Sequence, residues 1–195
     1  MEAAAPPKSR MSANARRMVL LREGARLFGR NGYAATRLDD VAAAAGVTKP
    51  IIYRHFTSKK DLYFAILERH EADLPTFMDP WPDHQSSAEL MEILLDRWLD
   101  YVTENSNSWL VLFRDRTGDP EIERARRGVS TRATEVIAAF LRESAPAIPP
   151  EEIEPTADLL RSGLAGLVLW WIDHPKVPRR IIQSTATRAG TAVFG

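Results

Sequence analysis

Lys59 and Lys60 stand where a helix should least favour them. The stretch "FTSKKDL" reads as a helix start, with Ser58 as its cap and Asp61 three residues on. The first turn of a helix carries partial positive charge, so two ammonium groups there are unfavourable in isolation. They make sense if an anion docks nearby, and a phosphate held jointly by backbone N–H groups and lysine is the obvious one. Two solvated surface lysines are the plainer alternative. Just upstream, Tyr53, Arg54 and His55 crowd polar side chains onto a single turn. Thr36 and Thr48 each stand at a helix start, where a capping hydroxyl is also placed to meet a phosphate.

The charge distribution suits a polyanion. Net charge over the chain is zero, but residues 1–61 hold 12 Lys/Arg against 5 Asp/Glu, a surplus of 7, and the remainder holds the matching deficit. Opposite halves of this kind suggest a basic module joined to a module with another task. The 195 residues, 45% of them apolar, suffice for one good core or two smaller ones. There is no cysteine, which excludes disulfides and thiolate metal sites and fits a cytoplasmic protein. No apolar run is long enough to span a membrane, and "MEAAAPPKSRMSANARR" lacks the apolar core of a secretion signal. No membrane partner is expected.

The elements that position the cations are helices. Residues 1–11, rich in Ala and Pro, read as a disordered arm. From Ser12 a helix places Leu21, Ala25 and Phe28 on one face and stops at Gly32. "TRLDDVAAAAG" follows, with Thr36 as cap, Asp39 completing a capping-box-like arrangement and Gly46 as the end. A third, short helix begins at Thr48. Its Pro50 falls at the second helical position, where the missing N–H has no intrahelical partner to lose. A helix, a tight glycine turn and a second short helix are the ingredients of a helix-turn-helix, with the long first helix covering their apolar faces. The domain reading is 12–58 for this module and 59–74 for a connecting helix, ended by Pro75. Residues 75–195 form the larger remainder. Its helices are read over 87–105, 107–116, 120–144, 155–174 and 178–193, so the whole chain is expected to be all-α.

The run from Ala25 through "LFGRNGY", Thr36, "VAAAAGVTK" and "YRHFTSKKDL" resembles the DNA-binding domain of the tetracycline-repressor (TetR) family. The resemblance covers residues 14–65 and implies a homodimeric, ligand-responsive regulator of double-stranded DNA, most often a repressor. It also implies phosphate contact by Tyr53, and by the residue at His55. Base reading then falls to the exposed face of the third helix, to Lys49, Pro50, Ile51 and Arg54, with Arg37 and Leu38 at its edge. Cations favour guanine acceptors and apolar side chains meet thymine methyls. The common family pattern has glycine at position 50 and a small hydroxyl residue at 51. Pro50 and Ile51 depart from it, so no operator sequence transfers from other members. Lys8 and Arg10 are candidates for a minor-groove arm, against an ordinary tail.

Beyond residue 65 the family implies architecture only: a helical domain for effector binding and dimerisation. "ADLLRSGLAGLVLWWIDHP" is apolar nearly all round, with one stripe at Leu160, Leu164, Leu167 and Trp171 and another at Leu159, Gly163, Gly166 and Trp170. A helix of this kind packs against more than one neighbour. With Ile181, Thr185 and Ala189 of the last helix, the first stripe is read as the dimer interface. Trp98, Trp109, Phe113, Phe140 and Trp170 are candidates to line a pocket for an apolar or aromatic effector, although each residue type more often fills a core. Arg114, Arg161 and Asp173 are candidates for a polar end to that pocket. His55, His70, His84 and His174 are scattered, with neither a nucleophile nor metal-ligand spacing beside them. No enzyme activity, metal or cofactor is therefore expected. The alternative function is an architectural DNA-binding protein without an effector pocket.

Overall fold

A computed structural model of the chain describes residues 12–74 and 86–194, excepting the side chains of 87, 88 and 192–194. The arm at 1–11, with Lys8 and Arg10, and the proline-rich segment at 75–85, with His84, lie outside the described residues. The described chain is all-α: α1 (Ala13–Ala35), α2 (Leu38–Ala44), α3 (Lys49–His55), α4 (Lys59–Asp73), α5 (Ser87–Glu104), α6 (Ser106–Phe113), α7 (Pro120–Ser144), α8 (Ile153–Asp173) and α9 (Arg179–Phe194). A single 3₁₀ turn, Pro150–Glu152, leads into α8.

The helix starts follow the capping residues. Ser12, Ser58, Ser86 and Asp119 each accept a hydrogen bond from a first-turn N–H, and Pro120 begins α7 where its lack of a donor costs nothing. At Gly32 the backbone kinks with φ +80°, a conformation that disfavours any residue with a Cβ, and helical turns resume to Ala35 instead of stopping there. The start of α2 falls one residue later than the sequence suggests. Arg37 occupies the cap position and its N–H donates to Asp40 Oδ2 at 3.2 Å. Thr36 instead points its hydroxyl back into α1, donating to the carbonyls of Gly32 (2.9 Å) and Leu27 (3.2 Å).

Two apolar cores result. Leu20, Phe28, Val41, Ile52, Phe56, Leu62 and Tyr63 bind α1 to α4 into one body, and Val111, Leu112, Ile122 and Val129 from α6 and α7 complete it. Gly29 allows this docking: a Cβ there would lie 3.0 Å from the Asn107 carbonyl oxygen on α6. The second core gathers Leu90, Trp98, Leu99, Trp109, Leu141, Val168 and Ile182 from α5 to α9.

Candidate nucleic-acid interface

α3 has a buried side and an exposed side. Ile52 and Phe56 are fully buried in the first core, whereas Thr48, Lys49, Pro50, Tyr53 and Arg54 are exposed. Ile51 lies between the two. Thr48 is the N-cap through its carbonyl, which accepts from Ile51 N–H at 2.9 Å. Its side chain makes no cap hydrogen bond. Pro50 takes the second helical position and removes one of the donors that a capping hydroxyl would otherwise receive.

The orientation of this face is fixed from two sides. Lys49 Nζ lies 2.7 Å from Asp39 Oδ2 on α2, and that bond raises the lysine's pKa. At the other end, the Arg17 guanidinium sits 4.5 Å above the Phe56 ring and donates to the His55 carbonyl at 3.2 Å. Burial lowers the pKa of His55, and Arg17, Arg16 and Arg54 lower it further. His55 is thus a neutral hydrogen-bonding group at pH 7, not a cation. The guanidinium groups of Arg37 and Arg54 carry no ion pair among the described residues, and Tyr53 is 50% exposed with no ring contact.

Three residues assigned to phosphate from sequence are engaged elsewhere. Thr36 is 1% exposed and its hydroxyl is used within α1 and its turn, so it offers nothing to a ligand. Lys59 Nζ donates to the Tyr33 carbonyl at 2.7 Å and lies 4.3 Å over the Tyr33 ring. Lys60 Nζ pairs with Asp119 Oδ2 at 2.9 Å and with Glu121, both at the start of α7. The carboxylates at the start of α7 thus take the place of an external anion at Lys60. Asp115 adds a parallel tie by accepting from the Tyr33 N–H at 3.1 Å.

The fold and this face match known proteins. Residues 88–192 match the family described as Tetracyclin repressor-like, C-terminal domain, and residues 20–66 match that described as Bacterial regulatory proteins, tetR family. The chain belongs to the TetR family. It is a DNA-binding transcriptional regulator, of a family whose members are not enzymes. The transcriptional regulator AcrR of Shigella flexneri is 28% identical over 181 residues, 87% of this chain and 84% of AcrR. The transcriptional activator FasR of Mycolicibacterium smegmatis is 28% identical over 116 residues, 58% of this chain and 53% of FasR, so the match spans about half of that relative. Among solved structures, the fatty acid degradation regulator FadR from Bacillus halodurans has a TM-score of 0.78 at 14% identity, covering 100% of this chain and 97% of that one. A TetR-family regulator from Streptomyces coelicolor has a TM-score of 0.72 at 24% identity, covering 94% and 82%. These structural likenesses carry the fold.

In this TetR-family chain the aromatic candidates separate. Trp98, Trp109 and Phe113 line a cavity of about 50 Å³, whereas Phe140 lines an adjoining one of about 110 Å³ that shares Trp98. Trp170 lines neither: it is 46% exposed and stacks on His174 with ring centroids 4.1 Å apart. Arg114 and Asp173 pair with each other at 2.6 Å on the surface, and only Arg161 of the polar candidates reaches a cavity wall. His70 was not singled out by sequence, yet it is buried on that wall with Nδ1 2.8 Å from the Tyr101 hydroxyl. Its signal is the four-residue spacing Leu62, Ile66, His70, Leu74, which sets it on the buried stripe of α4.

The two stripes of α8 meet different surroundings. Leu160, Leu164, Leu167 and Trp171 pack on the second core, with the Trp171 indole donating to the Val177 carbonyl at 2.9 Å. The other stripe faces outward: Leu159 is 68% exposed, Trp170 is exposed about three turns further on, and a Cβ at Gly163 or Gly166 would meet nothing within 4 Å. Ile181, Thr185 and Ala189 are exposed on α9. Among the described residues no helix is long and apolar enough to cross a membrane, and no group of side chains could hold a metal ion.

Proposed function

We propose that this regulator is a cytoplasmic homodimeric repressor that binds a palindromic operator and is released by a small effector held in its second core. The observation that carries the DNA reading is the exposed face of α3. Lys49, Pro50, Ile51 and Arg54 stand as base readers, with Arg37 at the edge and Thr48, Tyr53 and His55 on the phosphates. Ile52 and Phe56 anchor the opposite side. One short helix reads few base pairs, so a twofold pair placed about 34–36 Å apart is the arrangement that gives specificity.

The outward stripe of α8, Leu159, Gly163, Gly166 and Trp170, with Ile181, Thr185 and Ala189 of α9, supports a helical interface between two copies. An effector that fits one spacing of the two readers better than the other shifts the population toward it. The cavity around Trp98 and Trp109 supports an effector over a purely architectural role. Repression is the direction proposed, although the relative FasR is an activator.

The test is a mobility-shift assay on the DNA upstream of the chain's own gene, repeated across salt, with a promoter fusion to read the sign. A specific complex that weakens steeply with salt and lowers promoter output is expected. No specific complex with any fragment of its genome would overturn the reading, and raised promoter output would overturn repression alone.

A further inference from the structure

The two cavities in the second core differ in polarity. The smaller, about 50 Å³, lies between α4, α5, α6, α7 and α8 and has His70, Trp109, Ser130 and Arg161 in an otherwise apolar wall. The larger, about 110 Å³, is bounded by Met91, Leu95, Phe140, Leu160, Ala186 and Gly190, without a polar side chain. Trp98, Ile137 and Leu164 line both and form the partition between them.

Donors dominate the smaller cavity, whose one hydroxyl, Ser130, donates to the Arg126 carbonyl at 3.2 Å. The Trp109 indole N–H is buried and has no acceptor among the described residues. A buried indole N–H ordinarily has one, as Trp171 does at the Val177 carbonyl. His70 approaches the Trp109 ring edge-on at 5.4 Å, and burial lowers its pKa to about 4, so it is neutral. The Tyr101 hydroxyl lies 2.8 Å from His70 Nδ1, and the tautomer in which it donates there carries the ring hydrogen on Nε2 as a second donor. The one charged lining residue, Arg161, is cationic. Asp158, Thr134 and Ser162 hold its guanidinium at 2.7, 2.9 and 2.8 Å.

We propose that the two cavities are the head and tail compartments of one effector site, and that the effector is an aliphatic carbonyl compound, an amide or a carboxylic acid. Its oxygen accepts from Trp109 Nε1–H, with His70 and Arg161 nearby, and its hydrocarbon chain passes Trp98 into the chamber bounded by Phe140 and Gly190. This rests on the reading that the second core binds an effector and adds its chemical class. Amines are disfavoured: an ammonium brings no acceptor to Trp109 and loses its own hydration against a largely apolar wall. Passage of the chain requires Trp98 to turn, because it separates the compartments and packs edge-to-face on Trp109 at 5.8 Å.

The experiment is isothermal titration of the full chain with decanamide, decanoic acid and decylamine, beside release of labelled operator DNA. Decanamide and decanoic acid are expected to bind, and decylamine about tenfold more weakly or not at all. Trp109→Phe keeps the ring, removes the donor, and is expected to weaken decanamide about tenfold. Ala186→Phe fills the tail chamber and is expected to weaken decanamide while sparing acetamide. Decylamine binding as well as decanamide, or a folded Trp109→Phe variant with unchanged decanamide affinity, would overturn the proposal. If Trp109→Phe does not fold, the comparison of amide with amine on the unmodified chain still decides it. Binding without DNA release would leave the ligand class standing and sink the effector reading. Release by compounds lacking a carbonyl, with no decanamide binding, would do the reverse.

Discussion

Lys60 of α4 and Asp119 at the cap of α7 are joined, Nζ to Oδ2 at 2.9 Å, and the link spans the two halves of the chain. Asp119 also accepts from the first-turn N–H of Glu121 at 2.9 Å, so one carboxylate both caps α7 and holds the start of α4. Glu121 and then Asp119 raise the pKa of Lys60, and Lys60 in turn lowers that of Asp119. This arrangement places Lys60 in the frame that carries α3.

The distinction is measurable through salt. A cation that neutralises a DNA phosphate contributes about 0.9 to the slope of log K against log salt. Arg54→Ala is expected to reduce that slope by about one if Arg54 contacts a phosphate, or to cost about 1–3 kcal/mol at one base position if it reads a base. Lys60→Gln is expected to leave the slope unchanged. A slope that falls equally for Lys60→Gln would return Lys60 to the phosphate contacts.

Thr36→Val removes a buried hydroxyl that bonds the Gly32 and Leu27 carbonyls. The expected loss is about 1–3 kcal/mol in urea unfolding, with DNA affinity per folded molecule unchanged. A direct loss of affinity at full stability would mean that Thr36 reaches DNA.

His70 makes stability depend on pH. Burial lowers its pKa to about 4 from an ordinary 6.5, with the nearby Asp73 carboxylate opposing the shift. The unfolded chain therefore binds this proton first. The contribution of neutral His70 is complete above about pH 6.5 and is lost as pH falls toward 4, by up to about 3 kcal/mol. Tyr101, Trp109, Asp73 and Arg69 surround it. Because carboxylates also titrate near the lower limit, the reading is a difference: His70→Phe should show a flatter melting temperature than the unmodified chain between pH 6.5 and 4. Parallel curves would contradict the burial argument.

Gly166→Glu places a charge on the outward stripe, where a Cβ meets nothing within the chain. The helix should remain folded, and a change from dimer to monomer by sedimentation, with weakened operator binding, is the expected outcome. A variant that stays dimeric would move the interface elsewhere.

Much of this was legible in sequence because it rests on local rules. The capping serine at 58, the helix start at Ser12 and Pro50 in a first turn specify helices and the exposed side of α3. What was not legible depends on partners distant in sequence. Lys60 reads as a phosphate ligand until α7 brings Asp119 and Glu121 to it. Either stripe of α8 can face a core, and only the packing of α5, α7 and α9 selects Leu160 and Leu164 over Leu159 and Gly163. Thr36 lost its cap by one residue of register, which periodicity does not resolve.

The central claim is that α3 reads DNA through its Lys49 to Arg54 face, and selection from a random-sequence duplex library tests it most directly. The unmodified chain should enrich a palindromic motif, and Arg54→Ala and Pro50→Gly should each alter it at symmetric positions while leaving thermal stability nearly unchanged. An absence of any enriched motif, or the same motif from all three proteins, would contradict it.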